Sequence, residues 1–128
     1  MDNLNKQFIL DVIGKSENTL LATQKKLCLP IINRIYKKMK FGIKFDDIKV
    51  YDNTLIMNGH HRYICSLLAN IEIDRAISSK TSATVAHDWK DVEFVEEEWD
   101  TESKIRKMNE LDAEFNNLTI EKIIEIIK

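Results

Sequence analysis

The spacing of the apolar residues turns from strand-like to helical at a single glycine, and that change limits what this part of the chain can fold into. Before it, the stretch FDDIKVYDNTLIMNG holds two short β-like runs, Ile48 to Tyr51 and Thr54 to Met57, around the pair Asp52-Asn53. Asp and Asn tolerate the left-handed backbone of a tight turn, so the two runs predict a β-hairpin. After Gly59, the residues Ile64, Leu67, Leu68 and Ile71 fall at i, i+3, i+4 and i+7, the stripe of a buried helix from Gly59 to Asn70. A third strand is expected in Ile71 to Ile77, which gives an α+β fold with a short mixed sheet and a hairpin that feeds a helix.

Only three glycines and one proline interrupt the 128 residues, so breaks are few and no stretch has the composition of a linker. A chain of this length with 44% apolar residues supplies one hydrophobic core, and residues 1–128 are expected to form a single domain. Basic helices are expected over about 17–41, the hairpin-helix motif over about 46–77 and C-terminal helices over about 101–128. Glu17 to Leu27 is expected to be a short helix. Pro30 then starts a second helix that ends near Gly42, with Ile31, Ile32, Ile35 and Met39 on one face and Arg34, Lys37, Lys38 and Lys40 elsewhere. Val92 to Val95 predicts a strand. A helix from Thr101 to Phe115 is expected to turn Ile105, Met108, Leu111 and Phe115 inward. Thr119 would cap the last helix, whose Ile120, Ile123, Ile124 and Ile127 share a face expected to dock on the domain.

The net charge of −2 conceals an asymmetry. Residues 1–45 hold nine Lys/Arg against three Asp/Glu, a surplus of six, which leaves the remainder at −8. A basic patch attracts phosphate whatever the total charge, so nucleic acid or nucleotide is the expected partner class. Cys28 and Cys65 sit in apolar runs without the close spacing of a zinc knuckle or redox pair, and are expected to be buried free thiols. No apolar run approaches membrane-spanning length and the N-terminus lacks a signal-peptide pattern, so a cytoplasmic location without membrane insertion is expected.

The chemistry concentrates at GHHR. Glycine between a strand and a helix lets the backbone turn sharply, and the first helical N–H groups have no partner within the helix. Such an end suits an anion. Arg62 adds a planar cation matched to phosphate oxygens, and His60 or His61 is placed to donate a hydrogen bond or move a proton. A bland alternative has His60 hydrogen-bonded at the edge of the core and Arg62 in solvent. The stretch SSKTSATVAHDW, residues 78–89, is the other expected functional loop; it brings Lys80 and Ser82 as phosphate-binding candidates and His87 as an additional acid or base. Asp46, Asp47, Asp52 and the run Glu96 to Glu98 lack a diagnostic metal spacing, so a magnesium ion arriving with a nucleotide fits better than a protein-held metal. Trp89 and Trp99 are expected to be core or edge anchors.

The segment YDNTLIMNGHHRYICSLLANIEID resembles the core motif of the ParB/sulfiredoxin superfamily, in which a hairpin ends in a G-x-x-R turn at the start of a helix. The resemblance covers about a quarter of the chain. It implies that Gly59 and Arg62, with Asn58 beside them, hold phosphate. His60 occupies the place of the reactive cysteine of sulfiredoxins, so repair of sulfinic acids is not expected. Residues 78–128 are too short for the helix-turn-helix domain that follows the motif in partitioning proteins and show no recognition helix, so a partitioning role is not expected, and Asn58 and His61 depart from the DGHTR of the free-serine kinases. NGHHRY followed by HDWKDVEFVEEEW is most similar to ParB-like domains of bacterial polymorphic toxins, some of which are regarded as nucleases. That likeness implies a DNase module delivered into a target cell, with a cognate immunity protein. In it the basic helix would hold the nucleic-acid backbone, Arg62 the scissile phosphate, and His60 or His61 would act as acid or base. The alternatives are a nucleotide-hydrolysing or phosphotransfer domain, and a non-catalytic module that binds through the same turn. Oligomeric state is left open.

Overall fold

The computed structural model describes residues 4–17 and 19–128. Helix α1, Lys6–Gly14, starts where the Asn5 side chain accepts the Phe8 N–H, and it buries Ile9 and Ile13. Bridged residues Leu21 and Ala22 precede strand β1, Lys26–Cys28, which passes directly into helix α2, Leu29–Lys40, with Pro30 in its first turn. Strands β2, Ile48–Tyr51, and β3, Leu55–Asn58, lead to helix α3, His60–Ala69. Strand β4, Arg75–Ile77, follows. A short 3-10 turn at Trp89–Asp91 precedes strand β5, Glu93–Val95, and helices α4, Glu102–Phe115, and α5, Ile120–Ile127, complete the chain.

The hairpin is as expected: β2 and β3 pair antiparallel, and Asp52 and Asn53 both take positive φ at the turn. β4 joins β2 in parallel, which makes a three-stranded mixed sheet in the order β3-β2-β4. β1 and β5 form a separate parallel pair. The main core gathers Ile9, Leu20, Leu27, Ile32, Ile48, Ile56, Ile64 and Trp89, while Ile43, Ala113 and Ile123 form a smaller cluster under the C-terminal helices. Cys28 and Cys65 are buried and free. Among the described residues no helix is long and apolar enough to cross a membrane.

Four expectations require correction. The helix over Glu17 to Leu27 does not form, and Asn18 lies outside the described residues. Residues 19–28 find extended partners instead: Leu21 N–H donates to Thr54 O, Ala22 and His87 exchange backbone bonds, and Lys26–Cys28 pairs with β5. Once those backbone groups are satisfied by the sheet, local helix propensity is overridden. In α4 the inward face is rotated from the one expected. Met108, Leu111 and Phe115 are exposed, at 43%, 45% and 59%, and the buried residues are Asn109, Asp112 and Ala113. The cause is Lys38, which is buried on α2 and draws Asp112 inward to an ion pair of 2.6 Å.

Ile71 is the third correction: Asn70 ends α3 in the left-handed conformation, so Ile71 falls beyond the helix and is exposed. The fourth concerns the isoleucine stripe of α5, which is only partly inward. Ile123 is fully buried, whereas Ile124 is exposed and Ile126 packs on the smaller cluster in its place.

Candidate functional site

The GHHR turn sits where β3 meets α3. Gly59 takes φ +93, and a Cβ there would lie 2.6 Å from Ile48 Cγ2 and 2.9 Å from Arg62 Nη2. The glycine is therefore required twice, by backbone conformation and by the close approach of β2 and the arginine. Arg62 folds back over this gap. Its Nη1 donates to the carbonyls of Asp46 and Asp47 at 2.9 and 3.0 Å, and so ties the residues just before β2 to the start of α3.

Both histidines look toward the extended segment before α2. His60 Nε2 accepts the Thr23 N–H at 3.0 Å and His61 Nε2 accepts the Cys28 N–H at 2.9 Å. An Nε2 that accepts leaves the proton of a neutral ring on Nδ1. Tyr63, one turn along, accepts the Leu20 N–H through its hydroxyl. Three side chains of one helix thus satisfy backbone donors over residues 20–28. The ring of His60 meets Trp89 edge-on and that of His61 meets Trp99. Burial, reinforced by the charges of His61 and His87, lowers the His60 pKa from 6.5 to about 4. Burial likewise brings His61 from 6.5 to about 4; the Asp100 carboxylate opposes that shift and Arg34 adds to it. The two rings are neutral acceptors near pH 7.

Beside the turn lies a cleft of about 460 Å³ bounded by α2, the start of α3 and α4. Asn58, Gly59, His60, His61 and Arg62 form its floor. Four cations border it, Arg34, Lys38, Arg62 and Lys104, against the carboxylates Asp100 and Asp112. Asp100 holds Arg34 and Lys104, each at 3.3 Å, and Glu98 pairs with Arg34, whose hydrogen bond lowers the Glu98 pKa. The basic N-terminal half and acidic C-terminal half are thus partly paired with each other across this cleft. No side chain caps the α3 N-terminus, and its first residues line a cleft bordered by four cations and two carboxylates.

The remaining sequence-derived candidates lie elsewhere. Lys80 stacks on the Tyr51 ring at the hairpin end, and Ser82 sits exposed in the turn between Thr81 and Thr84. His87 borders a shallow depression with Thr23, Lys25, Thr81 and Thr84. The structure therefore groups Asn58 to Arg62 and separates Lys80, Ser82 and His87 from that cleft. Sequence reasoning missed Asn109, Asp112, Asp100 and Lys104 as lining residues. The available signal was polar, Asn109 and Asp112 one turn apart on a helix whose apolar residues drew the attention.

Among the described residues no three His, Cys, Asp or Glu side chains are grouped to hold a metal ion, and both cleft carboxylates already face cations. A scan against protein-family models and searches of curated proteins and solved structures found no match for the chain. The molecule is thus defined by its own geometry, a small α+β domain with a cleft at the junction of a hairpin and a helix.

Proposed function

We propose that this chain is a ParB/sulfiredoxin-like domain that binds a phosphate-bearing ligand, nucleotide or nucleic acid, in the cleft at the start of α3. The observation that carries the reading is the uncapped helix N-terminus opening on a hollow with four cations and two carboxylates. Backbone N–H groups and a helix dipole favour an anion there, and the surplus positive charge adds to it.

Between catalysis and binding, the geometry favours binding. A nuclease of the toxin type needs a general base beside the phosphate, and both histidines of the turn have committed Nε2 to a backbone N–H. Activation of water by magnesium needs carboxylates free to ligate, and Asp100 and Asp112 are each tied to cations. The test incubates the purified chain with plasmid DNA, RNA and nucleoside triphosphates, with and without magnesium, while thermal protection is followed. Protection with every substrate intact supports the binding module. Turnover that is lost in His60→Gln or His61→Gln would restore the nuclease reading, and growth arrest on expression in a bacterial cytoplasm would restore its toxin context and immunity partner.

Lys104→Glu is the cleanest variant for the binding reading, because Lys104 is exposed and its loss leaves the core untouched. It is expected to weaken phosphate binding by roughly tenfold at low salt and by less at high salt. Arg62→Ala is less selective, since it also releases the Asp46 and Asp47 carbonyls.

A further inference from the structure

The outward face of α4 is apolar where a surface helix is ordinarily polar. Met108, Leu111 and Phe115 fall at i, i+3 and i+7, the a-d-a spacing of a coiled-coil seam, and all three are exposed. Single apolar side chains scattered on a surface are normal, whereas three in register on one helix mark a contact. This is not the face by which α4 joins the domain. That role falls to Asp112, paired with Lys38 of α2, and to Ala113, packed with Ile43 and Ile123.

The charges beside the stripe indicate what covers it. Lys104, Arg106 and Lys107 stand in the N-terminal half of α4, and Glu110, Asp112 and Glu114 in the C-terminal half. That order runs against the helix dipole, which favours acidic side chains at the start of a helix and basic ones at its end. Only Glu102 in the first turn follows the rule, and the last turn holds no basic residue. The same order is favourable beside an antiparallel helix of identical sequence, because the acidic end of each then lies along the basic end of the other. Lys107 and Glu114 are the residues placed for this. They stand one heptad apart on the same flank of the stripe, both are exposed, and among the described residues neither has an ion-pair partner. Arg106 and Glu110, by contrast, already pair with each other.

We infer that a second copy of this chain covers the stripe, α4 against α4, antiparallel about a twofold axis. Met108 and Leu111 of the two copies interleave, and Lys107 of each faces Glu114 of the other. The contact is isologous and closes on itself, so it makes a dimer and no longer assembly. α4 has 14 residues, which span about 21 Å, a short seam with an expected dissociation constant on the order of 10–100 μM. Dilute solutions therefore hold the monomer. The surface is independent of phosphate binding.

The experiment is sedimentation equilibrium of the full chain, from low micromolar concentration to roughly 1 mM, with melting temperature followed at the low end. The wild type is expected to pass from monomer to dimer. Leu111→Glu is expected to stay monomeric throughout while its melting temperature in dilute solution is unchanged, because the side chain faces water there. Lys107→Glu and Glu114→Lys each set like charges opposite one another twice in the dimer, and each is expected to weaken association roughly tenfold. An equal mixture of those two variants restores opposite charges at both places. It is expected to associate as tightly as the wild type, as is the chain that carries both substitutions.

That recovery is specific to the antiparallel register, since a parallel pair does not bring residues 107 and 114 together. A wild type that remains monomeric at the highest concentration overturns the inference and leaves the stripe to a different protein. A dimer that Leu111→Glu does not weaken, or a mixture that fails to recover, overturns it equally.

Discussion

Helices α3 and α4 both bury polar side chains, and they do so to different ends. On α3, His60 accepts a backbone N–H and Ser66 donates to Tyr63 O at 2.6 Å, so its buried polar groups are closed within the fold. On α4, Asp112 faces a single buried lysine and Asn109 keeps an unmatched oxygen, while Met108, Leu111 and Phe115 look outward. A polar group matched to a backbone partner is architecture. On α4 the buried polar groups are matched across elements or left open, so their cost depends on how α4 sits against α2. The conspicuous histidines therefore hold the chain together through backbone N–H groups of residues 23 and 28.

The sharpest way to break this contrast lies in the ion pair of α4. Lys38→Met leaves Asp112 without its partner and is expected to lower unfolding free energy by about 4 kcal/mol in urea titrations, whereas Lys38→Met with Asp112→Leu recovers most of it. A double variant as unstable as the single would mean that the loss does not come from the unpaired Asp112 carboxylate. Next in size is the pH response of α3. In the unfolded chain His60 and His61 take up protons near 6.5, and in the fold only near 4. Between those values the unfolded state binds more protons, so stability is full above pH 6.5 and declines as pH falls toward 4. A loss of about 3 kcal/mol between pH 7 and 5 is expected for the pair, read by denaturation at each pH, and a flatter profile in His60→Gln with His61→Gln.

Gly59→Ala comes third, at about 2–3 kcal/mol, from the left-handed backbone and the overlap with Ile48. The smallest effect sharpens the comparison most. Leu111→Gln and Phe115→Gln are expected to change stability by less than about 0.5 kcal/mol each, because those side chains already face water. A loss several times larger would show that the stripe is packed after all.

The hairpin and the helix after Gly59 were legible because both signals are local. Asp52-Asn53 carries its turn geometry in its own chemistry, and the change of apolar spacing at Gly59 needs no knowledge of the rest of the chain. Residues 19–28 were misread because their structure is imposed from outside. Their N–H groups go to Thr54, His60, His61, Tyr63 and His87, all distant in sequence. The face of α4 was misread for the same reason, since a buried lysine on α2 outweighs three apolar residues that the periodicity favoured. Within the GHHR turn the residue types located the junction of β3 and α3. Their roles were hidden, because nothing local tells a histidine that accepts a backbone proton from one that meets a ligand.

The hydrogen bonds of Arg62 reach only 15 and 16 residues back along the chain, whereas those of His61 and His60 span 33 and 37 residues and the Lys38–Asp112 pair spans 74. Closing a short loop is entropically cheaper and, in general, faster than closing a long one. Arg62 can therefore lock the hairpin to α3 while the rest of the chain is still open, and the N-terminal segment is then drawn onto a helix already in place. α4 is expected to arrive last. By the same reasoning it is the first element to leave when the native protein opens, which makes the cleft beneath it the most readily exposed interior of the molecule.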